Sequence, residues 1–166
     1  MTLWRLCNGT QFWDNHNAGG RWYPPGRGVI ALDPTPAAAL CAALAFAEVA
    51  HPRLLPSGYR LHQLEVPQEA TLPVQAPRRW HSDLQLTRAL GQDWLDTGKS
   101  LLLCVPTVHG GYQYLLNTRH PDAQKCRLQA SFSYPFGQSV AQVQSLLSED
   151  AEWLAVLEAN EVQAPA

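Results

Sequence analysis

The amino-acid sequence predicts a single α+β domain, and three observations lead to this fold class. The chain has 166 residues, which is the length of one domain that can bury a sizeable core. Hydrophobic residues make up 46% of the chain and charged residues only 16%, which argues against a disordered chain or a coiled coil. Strand-like and helix-like segments both occur, but without the strict βαβ alternation of a parallel α/β fold.

The first half of the chain contains three strand patterns and one helix pattern. Residues 3–6 and 29–32 are short apolar runs that predict strands. Residues 37–50 are rich in alanine and flanked by prolines, which predicts a helix, and because apolar side chains lie nearly all round it we expect it to be buried. Residues 59–66 alternate apolar and polar side chains, as a half-buried strand does. Residues 67–81 carry turn signals and predict a loop.

The second half continues with a helix and three strands. Residues 84–94 predict a helix with Ser82 as its N-cap. Residues 101–105 form an uninterrupted apolar run, which is typical of a central strand buried on both faces. We therefore expect this strand in the middle of the sheet, with the helix of the first half packed against it. Residues 112–116 and 127–132 are further strand candidates.

Composition also argues against several function classes. The formal net charge is -2 and the basic residues are not clustered, so a nucleic-acid surface is not expected. No segment has the pattern of a signal peptide or the apolar length of a membrane span, which favours a cytoplasmic protein. The six histidines show no zinc-binding spacing, so no metal is expected. The four cysteines lack CxxC spacing, which favours buried free thiols over disulfides or a metal site.

Seven short blocks of sequence resemble the RES domain family in order and approximate spacing. They are LWRL at 3–6, GGRW at 19–22, YRL at 59–61, TRALG at 87–91, LCVPT at 103–107, YLLNTRHP at 114–121 and FSYPF at 132–136. The resemblance makes residues 1–136 a RES-like domain and leaves residues 137–166 as a C-terminal extension packed on it. Apolar positions between 140 and 159 predict an amphipathic helix pair for packing or for self-association as a homodimer.

The resemblance implies a fold and an activity that composition does not reveal. RES domains are similar in fold to ADP-ribosyltransferase toxins, with a small mixed sheet wrapped by helices around an NAD cleft. The family cleaves the bond between nicotinamide and ribose, by hydrolysis or phosphorolysis, and some members transfer ADP-ribose to protein. An antitoxin with an Xre-type DNA-binding part usually neutralises such a toxin.

Three residues match positions that the family uses in its site. Arg21, after Gly19 and Gly20, and Arg5, on the first strand, match arginines expected to bind the NAD pyrophosphate, because a guanidinium can grip phosphate oxygens in a bidentate way. Thr107 takes the place of the family serine and keeps its hydroxyl, so it is the catalytic candidate. The alternatives are an arginine beside a turn, an arginine at a strand edge and a threonine that ends a buried strand.

Two other family positions are altered in this chain. Counting without gaps from Trp22, Ala31 takes the place of the family tyrosine and Ala42 that of the family glutamate. Glu48 is the nearest acid on the same predicted helix, about 240° round from Ala42. Since one preorganised catalytic group is worth about 2.7–4 kcal/mol, the sequence predicts slow or absent NAD turnover, which Ala42→Glu should raise.

Three functions stay open from the sequence. The first is an NAD-cleaving toxin with a site built from Arg5, Arg21 and Thr107. The second is a degenerate RES domain that binds a nucleotide or a partner protein without turnover, and the missing carboxylate motivates it. The third is an ADP-ribosyltransferase that uses the same cleft on a protein acceptor.

Overall fold

A computed structural model describes residues 1–14, 19–48, 54–68, 71–108 and 110–134 of the chain. These residues form seven strands and two α-helices, which confirms the α+β fold class; the extension predicted for 137–166 lies outside them. The elements are β1 (Thr2–Asn8), β2 (Val29–Leu32), α1 (Pro36–Ala47), β3 (Tyr59–Glu65), β4 (Thr71–Pro73), α2 (Leu84–Thr97), β5 (Leu102–Pro106), β6 (Tyr112–Asn117) and β7 (Arg127–Ser133), with short 3₁₀ turns at Trp80–Ser82 and Pro121–Lys125.

The strands form two sheets rather than one. The first sheet is antiparallel with the order β1-β3-β7, and its register pairs Arg5 with His62 and Leu61 with Phe132. The second sheet has the order β2-β6-β5-β4, and only the β4–β5 pair in it is parallel. Strand β5 is therefore an interior strand with a buried core face, as the apolar run predicts.

A pair of backbone hydrogen bonds joins the two sheets. The amide of Trp4 in β1 donates to the carbonyl of Asp33 at 2.8 Å, and the amide of Asp33 donates back to Trp4 at 2.7 Å. Asp33 directly follows β2, so the link fixes the end of one sheet against the first strand of the other. The buried side chains of Leu3, Ile30 and Leu64 belong to one core cluster that includes both sheets.

Helix α1 packs on the first sheet, so its predicted contact with β5 is wrong. Thr35 is its N-cap and accepts a hydrogen bond from the Ala38 amide at 3.1 Å. The face that carries Ala39 and Leu40 is buried in a cluster with Leu6 of β1 and Leu61 of β3. The sequence of an apolar helix does not specify which of two sheets the helix will pack against.

Helix α2 packs on the second sheet, where Trp94 joins a buried cluster with Leu103 and Leu115. Its N-cap is Asp83, not Ser82 as predicted. The Asp83 carboxylate accepts from the Leu86 amide at 2.9 Å, whereas the Ser82 hydroxyl donates to the Arg79 carbonyl at 3.0 Å. The helix continues three residues beyond the predicted range, to Thr97, and the backbone becomes left-handed at Gly98 with φ 56°.

The structure can be compared with two expectations from the composition, namely that the cysteines are buried and that no segment spans a membrane. None of the four cysteines, which all lie within the described residues, forms a disulfide, and only Cys7 and Cys126 are buried; Cys104 is half-buried and Cys41 is exposed, so burial was wrongly expected for these two. Among the described residues, no helix is both long enough and apolar enough to cross a membrane.

Candidate active site

A cavity of about 780 Å³ lies where β1, α1, the glycine-rich segment 19–23 and the turn between β5 and β6 come together. Its volume falls within the range of roughly 300–1,000 Å³ that small-molecule sites occupy. Arg5, Arg21 and Thr107 all line it, although they are far apart in the sequence. The structure thus brings the three predicted site residues to one cavity, with different surroundings for each.

The segment that carries Arg21 is held in place by helix α2. The Thr87 hydroxyl donates to the Arg21 carbonyl at 2.8 Å, and the Arg88 side chain donates to the Gly20 carbonyl at 3.1 Å. Gly19 has a φ of 72°, a left-handed conformation that glycine adopts without strain. The backbone around Arg21 is therefore preorganised by contacts to a rigid helix.

The Arg21 side chain combines an aromatic contact with an unused donor. Its guanidinium carbon lies 5.7 Å from the centre of the Trp80 ring, a cation–π distance. Its Nη1 is buried and has no hydrogen-bond partner among the described residues. A buried unpaired donor is costly, and a charge-assisted bond to an anionic oxygen would remove that cost. Arg21 therefore has the chemistry of an anion ligand.

Arg5 is used differently, because its guanidinium already binds the backbone. Nη1 donates to the Phe12 carbonyl, and Nη2 donates to the Asp14 carbonyl at 2.8 Å. These bonds tie the segment after β1 to the strand. Arg5 lines the cavity as a fixed positive charge, and both of its terminal nitrogens already donate to backbone carbonyls. Arg21 is therefore the better candidate for bidentate hydrogen bonding to a pyrophosphate.

Thr107 lies in the turn that follows β5. Its amide donates to the Gly111 carbonyl at 3.1 Å, and its hydroxyl donates to the Gly110 carbonyl. The hydroxyl proton is thus committed to the turn, while the oxygen keeps lone pairs for a ligand donor such as a carboxamide N–H. The indole of Trp22 donates to the Pro106 carbonyl at 3.2 Å, which links this turn to the Arg21 segment.

Ala31 and Ala42, which the sequence comparison predicts to replace a family tyrosine and glutamate, both line the cavity. The face of α1 opposite its packed side is directed at this space, which explains why the helix is apolar nearly all round without being fully buried. Glu48 is exposed at the left-handed C-cap of α1 and is not among the cavity-lining residues. The structure therefore does not bring Glu48 to the place of the missing carboxylate.

Asp33 is a site residue that sequence reasoning missed. It is only 5% exposed, and it is the one carboxylate among the described residues that line the cavity. Gln113 of β6 donates from Nε2 to Oδ1 of Asp33 at 3.0 Å. Burial raises the pKa of Asp33 to about 6, although the Gln113 hydrogen bond and the Arg5 charge oppose the shift. In the sequence, the DPTP segment before the apolar helix was interpreted only as the start of that helix, so Asp33 was not considered as a site residue.

Comparisons with known proteins agree with this architecture. The profile described as the RES domain matches residues 2–137. A curated protein of Pseudomonas putida named Toxin Res is 34% identical over 139 residues, which covers 78% of this chain and 92% of that protein.

The similarity extends to a solved structure, a crystal structure of the MbcT–MbcA toxin–antitoxin complex from M. tuberculosis. One of its chains matches with a TM-score of 0.65 at 21% sequence identity, covering 89% of this chain and 88% of that chain. At that identity the likeness concerns the fold alone. The profile match over most of the chain and the similarity to the Pseudomonas putida protein show that this chain belongs to the RES domain family.

Proposed function

We propose that this chain is a toxin that binds NAD in the cavity and cleaves its nicotinamide–ribose bond, by hydrolysis or phosphorolysis. One observation carries the proposal: Asp33 and Arg21, whose buried Nη1 has no hydrogen-bond partner among the described residues, line the same cavity. NAD is similarly bipolar, because its pyrophosphate is anionic and its nicotinamide ring is cationic. Membership of the RES domain family supports the same substrate.

Cleavage of the nicotinamide–ribose bond depends more on stabilising the charge that develops on the ribose than on a covalent intermediate with the protein. When the bond between ribose C1′ and the nicotinamide nitrogen breaks, its electron pair goes to the nitrogen and positive charge develops on the ribose, as in glycoside hydrolysis. Water or phosphate then attacks C1′. In this site Arg21 would hold the pyrophosphate, Arg5 would add a fixed positive charge, and the Thr107 oxygen would accept from the nicotinamide carboxamide.

The proposal includes a protein partner. The Pseudomonas putida relative is named as a toxin, and the similar solved structure is a toxin–antitoxin complex. We infer that an antitoxin binds this chain as well, and family resemblance points to the Xre type. The mouth of the cavity carries the exposed side chains of Phe46, Val108 and Tyr112, an apolar rim that a partner protein would cover.

A second candidate function is binding without turnover. Ala31 and Ala42 leave apolar wall where the family has a tyrosine and a glutamate, so groups that favour the transition state are missing there. Arginines that hold a pyrophosphate bind the ground state and the transition state equally, and on their own they give affinity without acceleration.

Product analysis separates the two candidates. Purified chain in excess over NAD is incubated with and without phosphate, and nicotinamide, ADP-ribose and its 1″-phosphate are separated by chromatography. We expect slow nicotinamide release that Arg21→Ala reduces and that Arg27→Ala leaves intact, because Arg27 pairs with Asp96 at 2.5 Å and does not line the cavity. Bound NAD that stays intact over many hours would favour the non-catalytic function instead.

A further inference from the structure

We propose that Asp33 faces the cationic nicotinamide–ribose end of NAD and is the catalytic carboxylate of this chain, in place of the glutamate that Ala42 lacks. The inference rests on the proposed NAD function and assigns a residue that the family pattern does not supply. It follows from where the backbone holds Asp33, from the charges of the cavity and from the chemistry of the bond to be broken.

The backbone fixes Asp33 in a position that leaves its side chain available. Its amide and carbonyl are both used in the pair of hydrogen bonds to Trp4. The N-cap of α1 is Thr35, two residues later, so the Asp33 carboxylate is not consumed in capping the helix. Gln113 holds one carboxylate oxygen from the neighbouring strand β6. With its backbone held by two hydrogen bonds and its carboxylate by one, Asp33 is preorganised, as a catalytic group must be.

The charged residues of the cavity are complementary to the two oppositely charged ends of NAD. Arg5 and Arg21 are the arginines of the described lining, and Asp33 is its one carboxylate. With Asp33 neutralised, a cationic nicotinamide ring would meet only positive charges in the lining. With Asp33 ionised, the pyrophosphate and the nicotinamide ring each have a group of opposite charge. Asp33, directly after β2, and Ala42, on α1, line the same cavity, and the inference assigns to Asp33 the role that the family resemblance expects at position 42.

The proposed step balances without any added reagent. As the C1′–N bond breaks, the electron pair leaves with nicotinamide, which becomes neutral, and the Asp33 carboxylate stabilises the developing ribosyl cation. Water attacks C1′, and Asp33 accepts the proton that the water loses and later returns it to solvent. The products are ADP-ribose, nicotinamide and one proton. Asp33 must be ionised for both roles.

Few other groups titrate in the range that matters. Asp33, with its pKa of about 6, is ionised at pH 7.5 and mostly protonated at pH 5. Burial raises the pKa of Cys7, of Tyr23 and of Tyr59, so these groups stay neutral over that range. The other titratable side chains of the described lining are Arg5, Arg21, Cys41 and Tyr112.

Binding of an uncleavable analogue tests the assignment without requiring turnover. In carba-NAD the ribose ring oxygen is replaced by methylene; its oxidised form has a cationic ring and its reduced form a neutral one. Calorimetric titrations at pH 5 and pH 7.5 should show the oxidised form binding about tenfold more weakly at pH 5, since protonation of Asp33 removes the counter-charge. The reduced form should not share this loss. Asp33→Asn should abolish the difference, and Asp96→Asn, an exposed carboxylate outside the cavity, should preserve it.

The outcomes distinguish this inference from the proposed function. If the reduced and oxidised forms bind with the same pH dependence in the wild type and in Asp33→Asn, Asp33 does not face the cationic end, while the NAD site itself stands. If neither form binds the wild type, the NAD function and the inference both fall. Asp33→Asn keeps a side-chain oxygen for Gln113, and thermal unfolding checks that it folds. Nicotinamide release from NAD itself should rise through pH 6 in the wild type and fall about 10²-fold or more in Asp33→Asn.

Discussion

Gly91 of α2 lies so close to the backbone of Trp22 that a Cβ atom at position 91 would come within 1.6 Å of the Trp22 carbonyl oxygen. Trp22 directly follows Arg21, so this contact sets the position of the Arg21 segment on the helix. Together with the Thr87 and Arg88 hydrogen bonds, it makes α2 the support of the candidate site.

Gly91→Ala should therefore destabilise the protein, although alanine normally stabilises a helix interior relative to glycine by about 0.5–1 kcal/mol. The added methyl must displace backbone, and overpacking of this kind costs about 1–3 kcal/mol. Urea unfolding followed by circular dichroism measures the change. A variant as stable as the wild type, or more stable, would show that the segment is not held against α2.

His62 should make stability fall as the pH is lowered. It is fully buried in β3, and neither ring nitrogen has a hydrogen-bond partner among the described residues. Burial, together with the charges of Arg5 and Arg60, lowers its pKa to about 4, although the charge of Asp14 opposes the shift. Between pH 6.5 and 4 the unfolded chain binds a proton that the folded chain does not, so up to about 3 kcal/mol of unfolding free energy is lost over that window.

His62→Leu isolates this contribution. The variant should gain stability relative to the wild type as the pH falls from 6.5 to 4, which chemical unfolding at several pH values will measure. Asp33, whose raised pKa acts in the opposite direction, is present in both chains and cancels in the difference. A difference between the two chains that does not change with pH would mean that His62 binds its proton as readily in the folded state as in the unfolded state.

The sequence predicted elements better than it predicted their arrangement. Strands β2 and β7 lie within a residue of the predicted ranges, because alternation and apolar runs are local signals. Strand β4 was missed, since three residues that include Pro73 carry little pattern and pair with β5 through the backbone. The partner of α1 was wrong, because an apolar face does not specify which sheet will cover it.

The sequence could predict the cavity residues that lie in recognisable motifs, but not those that reach the cavity only through tertiary packing. Arg5, Arg21 and Thr107 were predicted because they lie in blocks that resemble the family, and all three line the cavity. The occupied guanidinium of Arg5 depends on carbonyls of the segment after β1, which no spacing reveals. Asp33 is positioned in the cavity lining by its contacts with β6 and β1, and both strands are distant from Asp33 in the sequence.

Thr107→Val should weaken NAD affinity with little effect on the rate at saturation. The lost oxygen is expected to bind the carboxamide equally in the ground state and the transition state, so the loss falls on KM rather than kcat. One neutral hydrogen bond corresponds to a change of up to about tenfold. Thr107→Ser keeps the hydroxyl and should match the wild type. Steady-state kinetics that show no change for Thr107→Val would remove it from the site.

Ala42→Glu should raise the rate of nicotinamide release. Ala42 lines the cavity on α1, so the substitution adds a second carboxylate to the lining at the position where the family resemblance predicts one. A well-placed group of this kind is worth up to about 10²–10³-fold. Ala38→Glu adds the same charge one turn earlier on the same cavity-lining face and is the control. An equal increase in both variants would mean that charge in the cavity matters and that position does not.

The central claim is that this cavity is an NAD site in which Arg21 binds the pyrophosphate. Calorimetric titration with carba-NAD tests it most directly, because uncleavable ligand separates binding from turnover. The wild type and Arg27→Ala should bind with the same affinity. Arg21→Ala should bind about tenfold to a hundredfold more weakly, since one charge-assisted hydrogen bond contributes about 1.5–3 kcal/mol. Equal affinity of Arg21→Ala and Arg27→Ala, or no binding by the wild type, would contradict the account.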